Sequence, residues 1–459
     1  MIPKRPINAD VPAPEKETRQ LDPVEKGAPE KKPEPQWKQA EAPAPASEPA
    51  QPREPRPLAP KVLVGLAGLA VLFIVVAVVF SSGGKDEGAK EGTAAPKPAT
   101  TASGAEPSSS QTAEALGYPS FATNNTTRIG GSDPTANAAA VALAVFPSTT
   151  PAQQPHAVTL VGEEDWAGAI AASVLMAEPI KAPILFSQTD EVPEASAEAF
   201  AALDPQPTKA TNGDSVFAIG SVALPSGAKA THVDSGDPAA TAAQIATLRE
   251  ILAGEPPAHI IVASSSSPDF AMPAAGWAAR SGDPVLFTES GKLSAATAGV
   301  LKEHPKTPVF VLGPAAAVSA RTLKEIEKLS ERVKRVAGKD PAASAIALAR
   351  FHAGSFGWNV NDPGHGFVLA RSDSPADAAA AAPLSASGTW GPLLLTEDAG
   401  TLPSAVRNYL LDVKPGYTTD PTRAFYNHVW LIGDQDAIGL DQQAEVNELA
   451  ELARIGGER

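Results

Sequence analysis

Apolar residues beyond residue 150 of this chain come in short unbroken runs rather than in alternation with polar ones. Val158-Thr-Leu-Val, His259-Ile-Ile-Val-Ala and Phe367-Val-Leu-Ala form one set. Ala182-Pro-Ile-Leu-Phe-Ser, Asp283-Pro-Val-Leu-Phe-Thr and Gly391-Pro-Leu-Leu-Leu-Thr form a second. Val216-Phe-Ala-Ile-Gly220, Val309-Phe-Val-Leu-Gly313 and Val429-Trp-Leu-Ile-Gly433 form a third. Runs this short and continuous predict strands buried on both faces. Ala- and Leu-rich stretches such as Asp377-Ala-Ala-Ala-Ala-Ala-Pro-Leu lie between them and predict helices. Strand and helix in alternation give parallel βαβ units.

The pattern is written three times. Arg128-Ile-Gly-Gly-Ser-Asp133-Pro, His232-Val-Asp-Ser-Gly-Asp237-Pro and Arg335-Val-Ala-Gly-Lys-Asp340-Pro each open an alanine-rich segment, and the Asp residues are 104 and 103 positions apart. So steady a period means one folding unit repeated. The expected fold class is α/β, with three tandem Rossmann-like parallel-sheet layer sandwiches of roughly 100 residues each, a common domain size. The units are residues 126–228, 229–332 and 333–455.

The N-terminal part has no such pattern. Residues 1–61 are rich in Pro and charge, with 11 Lys and Arg against 10 Asp and Glu. Such a segment buries too little apolar surface to offset its ordering entropy and is expected to be disordered. Val62 to Phe80 is an uncharged apolar stretch of 19 residues. As a helix it reaches about 28 Å, the thickness of a bilayer's hydrocarbon core, so it is expected to be a transmembrane helix. Residues 81–125, rich in Ser, Thr, Gly, Ala and Pro, read as a flexible linker. Within 20 residues of the span the basic flanks tie, but over the full flanks 11 basic residues precede it and three lie in 81–127. That favours a cytoplasmic N-terminus and a repeat domain on the outer face of a single-pass cell membrane protein.

Charge and composition narrow the chemistry. Residues beyond 61 hold 26 basic against 42 acidic residues, which argues against nucleic-acid binding. Without cysteine there is no disulfide, thiolate catalysis or Cys-based metal site. The seven histidines show no metal-binding pair at helical spacing, and no G-x-S-x-G, H-E-x-x-H, P-loop or dinucleotide fingerprint occurs. No cofactor and no catalytic residue is therefore assigned. Asp133, Asp237 and Asp340, each before Pro, read as helix N-caps, with ligand contact at these strand ends as the alternative. Ser374-Pro-Ala-Asp377 and Ser266-Ser-Pro-Asp269 read as capping-box-like starts. Arg128, His232 and Arg335, five positions before the caps, are candidate contacts to an anionic polymer, with ion pairing inside the chain as the alternative. Trp166 and Phe270 read as core aromatics, and Gly220, Gly313 and Gly433 as tight turns.

In order and spacing these units resemble the cell wall-binding repeat 2 family of Gram-positive surface proteins. The resemblance rests on Arg335-Val-Ala-Gly-Lys-Asp340, Pro375-Ala-Asp-Ala-Ala-Ala-Ala-Ala-Pro-Leu384, Gly391-Pro-Leu-Leu-Leu-Thr396 and Ala317-Val-Ser319. It implies a pseudo-threefold arrangement of the units and noncovalent attachment to an anionic cell wall polysaccharide. The Asp-Pro at 133, 237 and 340 departs from the family's Asp-Arg, and His232 replaces the leading Arg. The reading is therefore a membrane-tethered envelope protein that binds wall polysaccharide. The alternative is a protein-interaction scaffold with the same fold but no glycan binding.

Overall fold

A computed structural model describes residues 121–387 and 391–456. The chain enters as two short strands, β1 (Phe121–Ala122) and β2 (Thr126–Ile129), paired antiparallel. The first unit follows as α1 (Pro134–Val145), β3 (Val158–Val161), α2 (Trp166–Ala172), β4 (Ile184–Phe186), α3 (Glu194–Leu203), β5 (Val216–Ile219) and β6 (Ala230–Val233). The second unit runs α4 (Pro238–Ala253), β7 (Ile260–Ser264), α5 (Pro268–Ala271), α6 (Pro273–Ser281), β8 (Val285–Thr288), α7 (Ala295–Glu303), β9 (Val309–Leu312), α8 (Ala320–Glu327) and β10 (Val333–Val336). The third runs α9 (Pro341–Arg350), β11 (Gly366–Arg371), α10 (Pro375–Ala386), β12 (Leu393–Thr396), α11 (Ser404–Asp412), β13 (Gly416–Tyr417), β14 (His428–Ile432), α12 (Leu440–Ala450) and β15 (Ala453–Arg454).

The unbroken apolar runs are the interior strands. β3, β4, β5, β7, β8, β9 and β12 are buried along their whole length. They form three sheets of one order: β4-β3-β5-β6, β8-β7-β9-β10 and β12-β11-β14-β2. All pairings within these sets of four are parallel. The fourth strand of each sheet carries the basic residue that opens the next sequence repeat. For the third sheet that strand is β2, from the start of the described chain, with Thr126 opposite Val429 and Ile129 opposite Ile432. The three sheets are thus linked head to tail into a closed cycle.

Helix packing follows the same cycle. The central helices α2, α6 and α10 contact one another, and α1 lies on α10, α4 on α2 and α9 on α5. Their alanines make this possible. Ala378 to Ala382, Ala169 to Ala172 and Ala274, Ala275, Ala278 and Ala279 are buried, and small side chains let helix axes approach closely. At the α6–α10 contact a Cβ on Gly276 would stand 2.7 Å from Ser385 Oγ, so any larger residue would have to push Ser385 aside.

Residues 121–125, read from sequence as the end of the linker, belong to the fold. Asn447 on α12 accepts from Thr123 Oγ1 at 2.6 Å and from the Asn125 N–H at 3.1 Å. Residues 1–61, the apolar stretch 62–80 and residues 81–120 lie outside the described residues. Among the described residues no helix is long and apolar enough to cross a membrane.

Candidate functional site at the strand ends

Parallel α/β sheets present ligand-binding loops at the carboxyl ends of their strands. In each unit two segments of this kind meet: the loop between the basic strand and the next helix, and the turn after the third strand of the sheet. Asp133, Asp237 and Asp340 are N-caps, accepting from the N–H of Ala136 at 2.8 Å, Ala240 at 2.8 Å and Ala343 at 2.7 Å, with Pro at the first helical position. Four residues past each cap a polar side chain holds the loop. Asn137 accepts from the Gly131 N–H at 2.8 Å, Ser344 from the Gly338 N–H at 2.9 Å, and Thr241 bonds Ser235 Oγ at 2.9 Å. This repeated polar position escaped the sequence reading because each unit uses a different residue type.

The two arginines point into the protein. Arg128 is 1% exposed and donates to the carbonyls of Gly433, Asp434 and Ile438 and to Gln443 Oε1. Arg335 donates to the carbonyls of Gly313 and Val318, each at 2.6 Å. Burial lowers the pKa of both guanidiniums from the usual arginine value. Each arginine therefore straps the turn after a third strand to its neighbouring strand, and Arg128 has no donor left facing outward for a polymer. His232 sits exposed on β6. Its sheet shows why Arg is dispensable there: β5 passes to β6 without the helix that follows β9 and β14, so the second carbonyl clamped by Arg335 has no counterpart. Gly433, at φ +94°, makes the clamped turn possible, and a Cβ there would meet Ala437 at 2.8 Å.

Both serine starts differ from the capping-box expectation. The N-cap before α5 is Ser267, one position after the expected Ser266, and neither its hydroxyl nor that of the N-cap Ser374 makes the cap bond to the backbone. Asp377 is instead buried and accepts from Asn137 Nδ2 at 2.8 Å, joining α10 to α1 across the unit boundary. Burial raises its pKa above the ordinary carboxylate range. Asp165 caps α2 through the Gly168 N–H at 2.9 Å, and burial raises its pKa as well. Trp166 packs edge-on to Phe287 of the second unit at 5.5 Å. His365 lies in a turn with Asp362 at 3.2 Å. Among the described residues no group of side chains has metal-binding geometry.

A cleft of about 510 Å³ opens where the third unit meets the first. Gly131, Ser132, Asp133 and Thr135 form one wall, with Glu163, Gln188 and Asp434 facing them. Thr135 donates to Glu163 Oε2 at 2.7 Å. The cleft thus has three carboxylates and no basic side chain in its lining, which suits hydroxyl donors and opposes bare anions. Glu163 and Asp434 lie far apart in sequence, so only the closed cycle brings them together.

Positive charge sits elsewhere. Residues 134–233 carry three Lys and Arg against ten Asp and Glu, whereas residues 238–336 carry eleven against nine. Lys302, Lys306, Lys324, Lys328 and Lys334, on or beside α7, α8 and β10, are exposed. Counting charge unit by unit would have found this.

Residues 233–323 and 335–442 match the model of Cell wall binding domain 2. A stretch of 91 residues is 37% identical to N-acetylmuramoyl-L-alanine amidase LytC of Bacillus subtilis (strain 168), covering 20% of this chain and 18% of that protein. Among solved structures, Cwp6 from Clostridium difficile superposes with a TM-score of 0.57 at 19% identity, over 71% of this chain and 47% of that one. Cwp8 from Clostridium difficile gives 0.54 at 18%, over 72% and 52%. The chain thus spans about half the length of these structures and under a fifth of LytC. At such identities the structural likeness shows the fold alone.

Proposed function

From a chain whose second and third repeats belong to the Cell wall binding domain 2 family, we propose a surface protein held noncovalently to a cell wall polysaccharide through its repeat domain. The family match supports a wall-binding role for the repeats. The observation that carries this reading is the family match over most of two repeats, in a fold whose strand-end loops recur around a closed cycle. The carboxylates of Asp133, Glu163 and Asp434 offer acceptors to sugar hydroxyls, while the lysines of the second unit suit the anionic groups of such a polymer. Arg128 and Arg335 act indirectly, by fixing the turns that frame the loops. The apolar stretch 62–80 serves as a membrane tether with residues 1–61 on the cytoplasmic side, a reading supported by sequence hydropathy and flanking charge.

Purified protein is expected to sediment with isolated cell walls and to stay in solution once the secondary polymers are chemically stripped. Protein left in the supernatant with intact walls at low salt would overturn the proposal. A second reading, a protein-interaction scaffold that has kept the fold without the glycan, is favoured by the acidic cleft. It expects no sedimentation and a specific protein recovered by cross-linking. Topology has its own test: protease added to intact protoplasts should remove the repeats and spare residues 1–61.

A further inference from the structure

Between the second and third units, at the amino ends of the strands, four polar side chains form a chain of hydrogen bonds. Asp283 is buried just before β8. Its Oδ2 accepts from His259 Nδ1 at 3.1 Å and from Trp277 Nε1 at 2.8 Å, and its Oδ1 accepts from the His259 N–H at 3.0 Å. A carboxylate receiving these donors fixes the proton on His259 Nδ1 and leaves Nε2 as an acceptor. Nε2 stands 3.2 Å from Ser355 Oγ. The ring is held edge-on between Phe310 and Phe356 at 5.8 and 5.5 Å.

Ser355 is presented outward. Ala353 and Phe356 exchange backbone hydrogen bonds at 2.9 and 3.2 Å, closing a tight turn with Gly354 at φ +67° and Ser355 exposed at its tip. A Cβ on Gly354 would meet nothing within 4 Å, so the approach beside Oγ is open. The fold does not require this network. Strand register aligns His259 with Ala157 and Gly366, and Asp283 with Ala182 and Gly391, so the other two units close their sheets without it.

We propose that Ser355, His259 and Asp283 form an acyl-transfer site that hydrolyses small acyl esters, with Ser355 as nucleophile, His259 as general base and Asp283 as positioning residue. Both distances lie within the reach such a relay needs. Ser355 Oγ attacks the ester carbonyl and its proton passes to His259 Nε2. The adduct collapses by breaking the bond to the alkoxy group, which leaves with that proton. Water, deprotonated by the same nitrogen, then cleaves the acyl-serine to carboxylic acid and free serine.

The full chain is treated with a fluorophosphonate probe and assayed separately with p-nitrophenyl acetate. Mass spectrometry should place one phosphonyl adduct on Ser355, and Ser355→Ala should abolish it together with ester hydrolysis above background. His259→Gln should slow labelling by about 100-fold, the scale of general-base catalysis. Ser355→Cys places the sole thiol of the chain at the tip and covers the case in which His259→Gln fails to fold. It should alkylate with iodoacetamide at pH 7 faster than an unstructured cysteine peptide. Absence of a Ser355-dependent adduct, equal labelling of a folded His259→Gln variant, or peptide-like alkylation would each overturn the proposal.

Discussion

Arg128 and Arg335 hold equivalent positions but carry unequal loads. Arg128 is buried with four acceptors, whereas Arg335 is half-buried with two. Hydrogen bonds from a charged donor contribute roughly 1.5–3 kcal/mol each, and removing the donor strands buried carbonyls. Arg128→Ala should therefore lower stability by about 3 kcal/mol or more in chemical denaturation, and Arg335→Ala by clearly less. Wall affinity should follow folding in both variants, because the guanidiniums act through the turns. Asp377 makes a pH prediction. Burial raises its folded-state value above the unfolded carboxylate value, about 3.9. Its contribution is fully present below that unfolded value and is lost as pH rises through the folded one. Asp377→Asn keeps an acceptor for Asn137 without the charge. It should melt higher than wild type at pH 7, with the gap closing toward pH 4.

At the scale of elements the decisive contact is β2 against β14. β2 completes a sheet whose other strands come from the far end of the described chain, and Asn447 fastens the segment before it. His428 on β14 bonds Thr127 Oγ1 on β2 at 3.0 Å, and burial lowers its pKa. A histidine with a depressed folded-state value contributes stability above its unfolded value, about 6.5, that is lost as pH falls. Mild acid should therefore loosen this closure. Protection of the amides of residues 126–129 against exchange, corrected for the intrinsic slowing of exchange in acid, is expected to fall as pH drops below the unfolded histidine value, while the wholly internal strands β3 and β7 stay protected. A chain beginning at residue 130 should lose cooperative unfolding of the third unit, since β14 would keep an unpaired buried edge. Unchanged melting of that truncation would contradict a structural role for the cycle.

For the whole molecule, charge is segregated by unit. If the exposed lysines of the second unit meet anionic groups of the polymer, added salt should weaken wall sedimentation, because exposed charges are screened within about 8–10 Å. The paired change Lys324→Glu and Lys328→Glu should then reduce both affinity and its salt dependence while leaving the melting temperature within a degree or two, as exposed substitutions usually do. Full wall affinity in that variant would move the contact to the acidic cleft.

Repetition and strand burial were legible in the sequence because both are periodic: one apolar run buried on two faces reads alike in every unit, and an Asp-Pro step marks a helix start locally. The turns at Gly313 and Gly433 were legible for the same reason, since a strand-ending glycine needs only its neighbours. The direction of Arg128 was not. An arginine five residues before a cap looks the same whether it faces solvent or a carbonyl brought from residue 438, and that carbonyl arrives only when β2 pairs with β14. The cleft of Asp133, Glu163 and Asp434 and the relay of Ser355, His259 and Asp283 join residues of different units, so no local pattern announces them. Sequence determined the unit and its count, because those follow from short-range hydrophobic order. Tertiary structure decided which unit completes which sheet and which side chains meet, because those depend on closing the cycle.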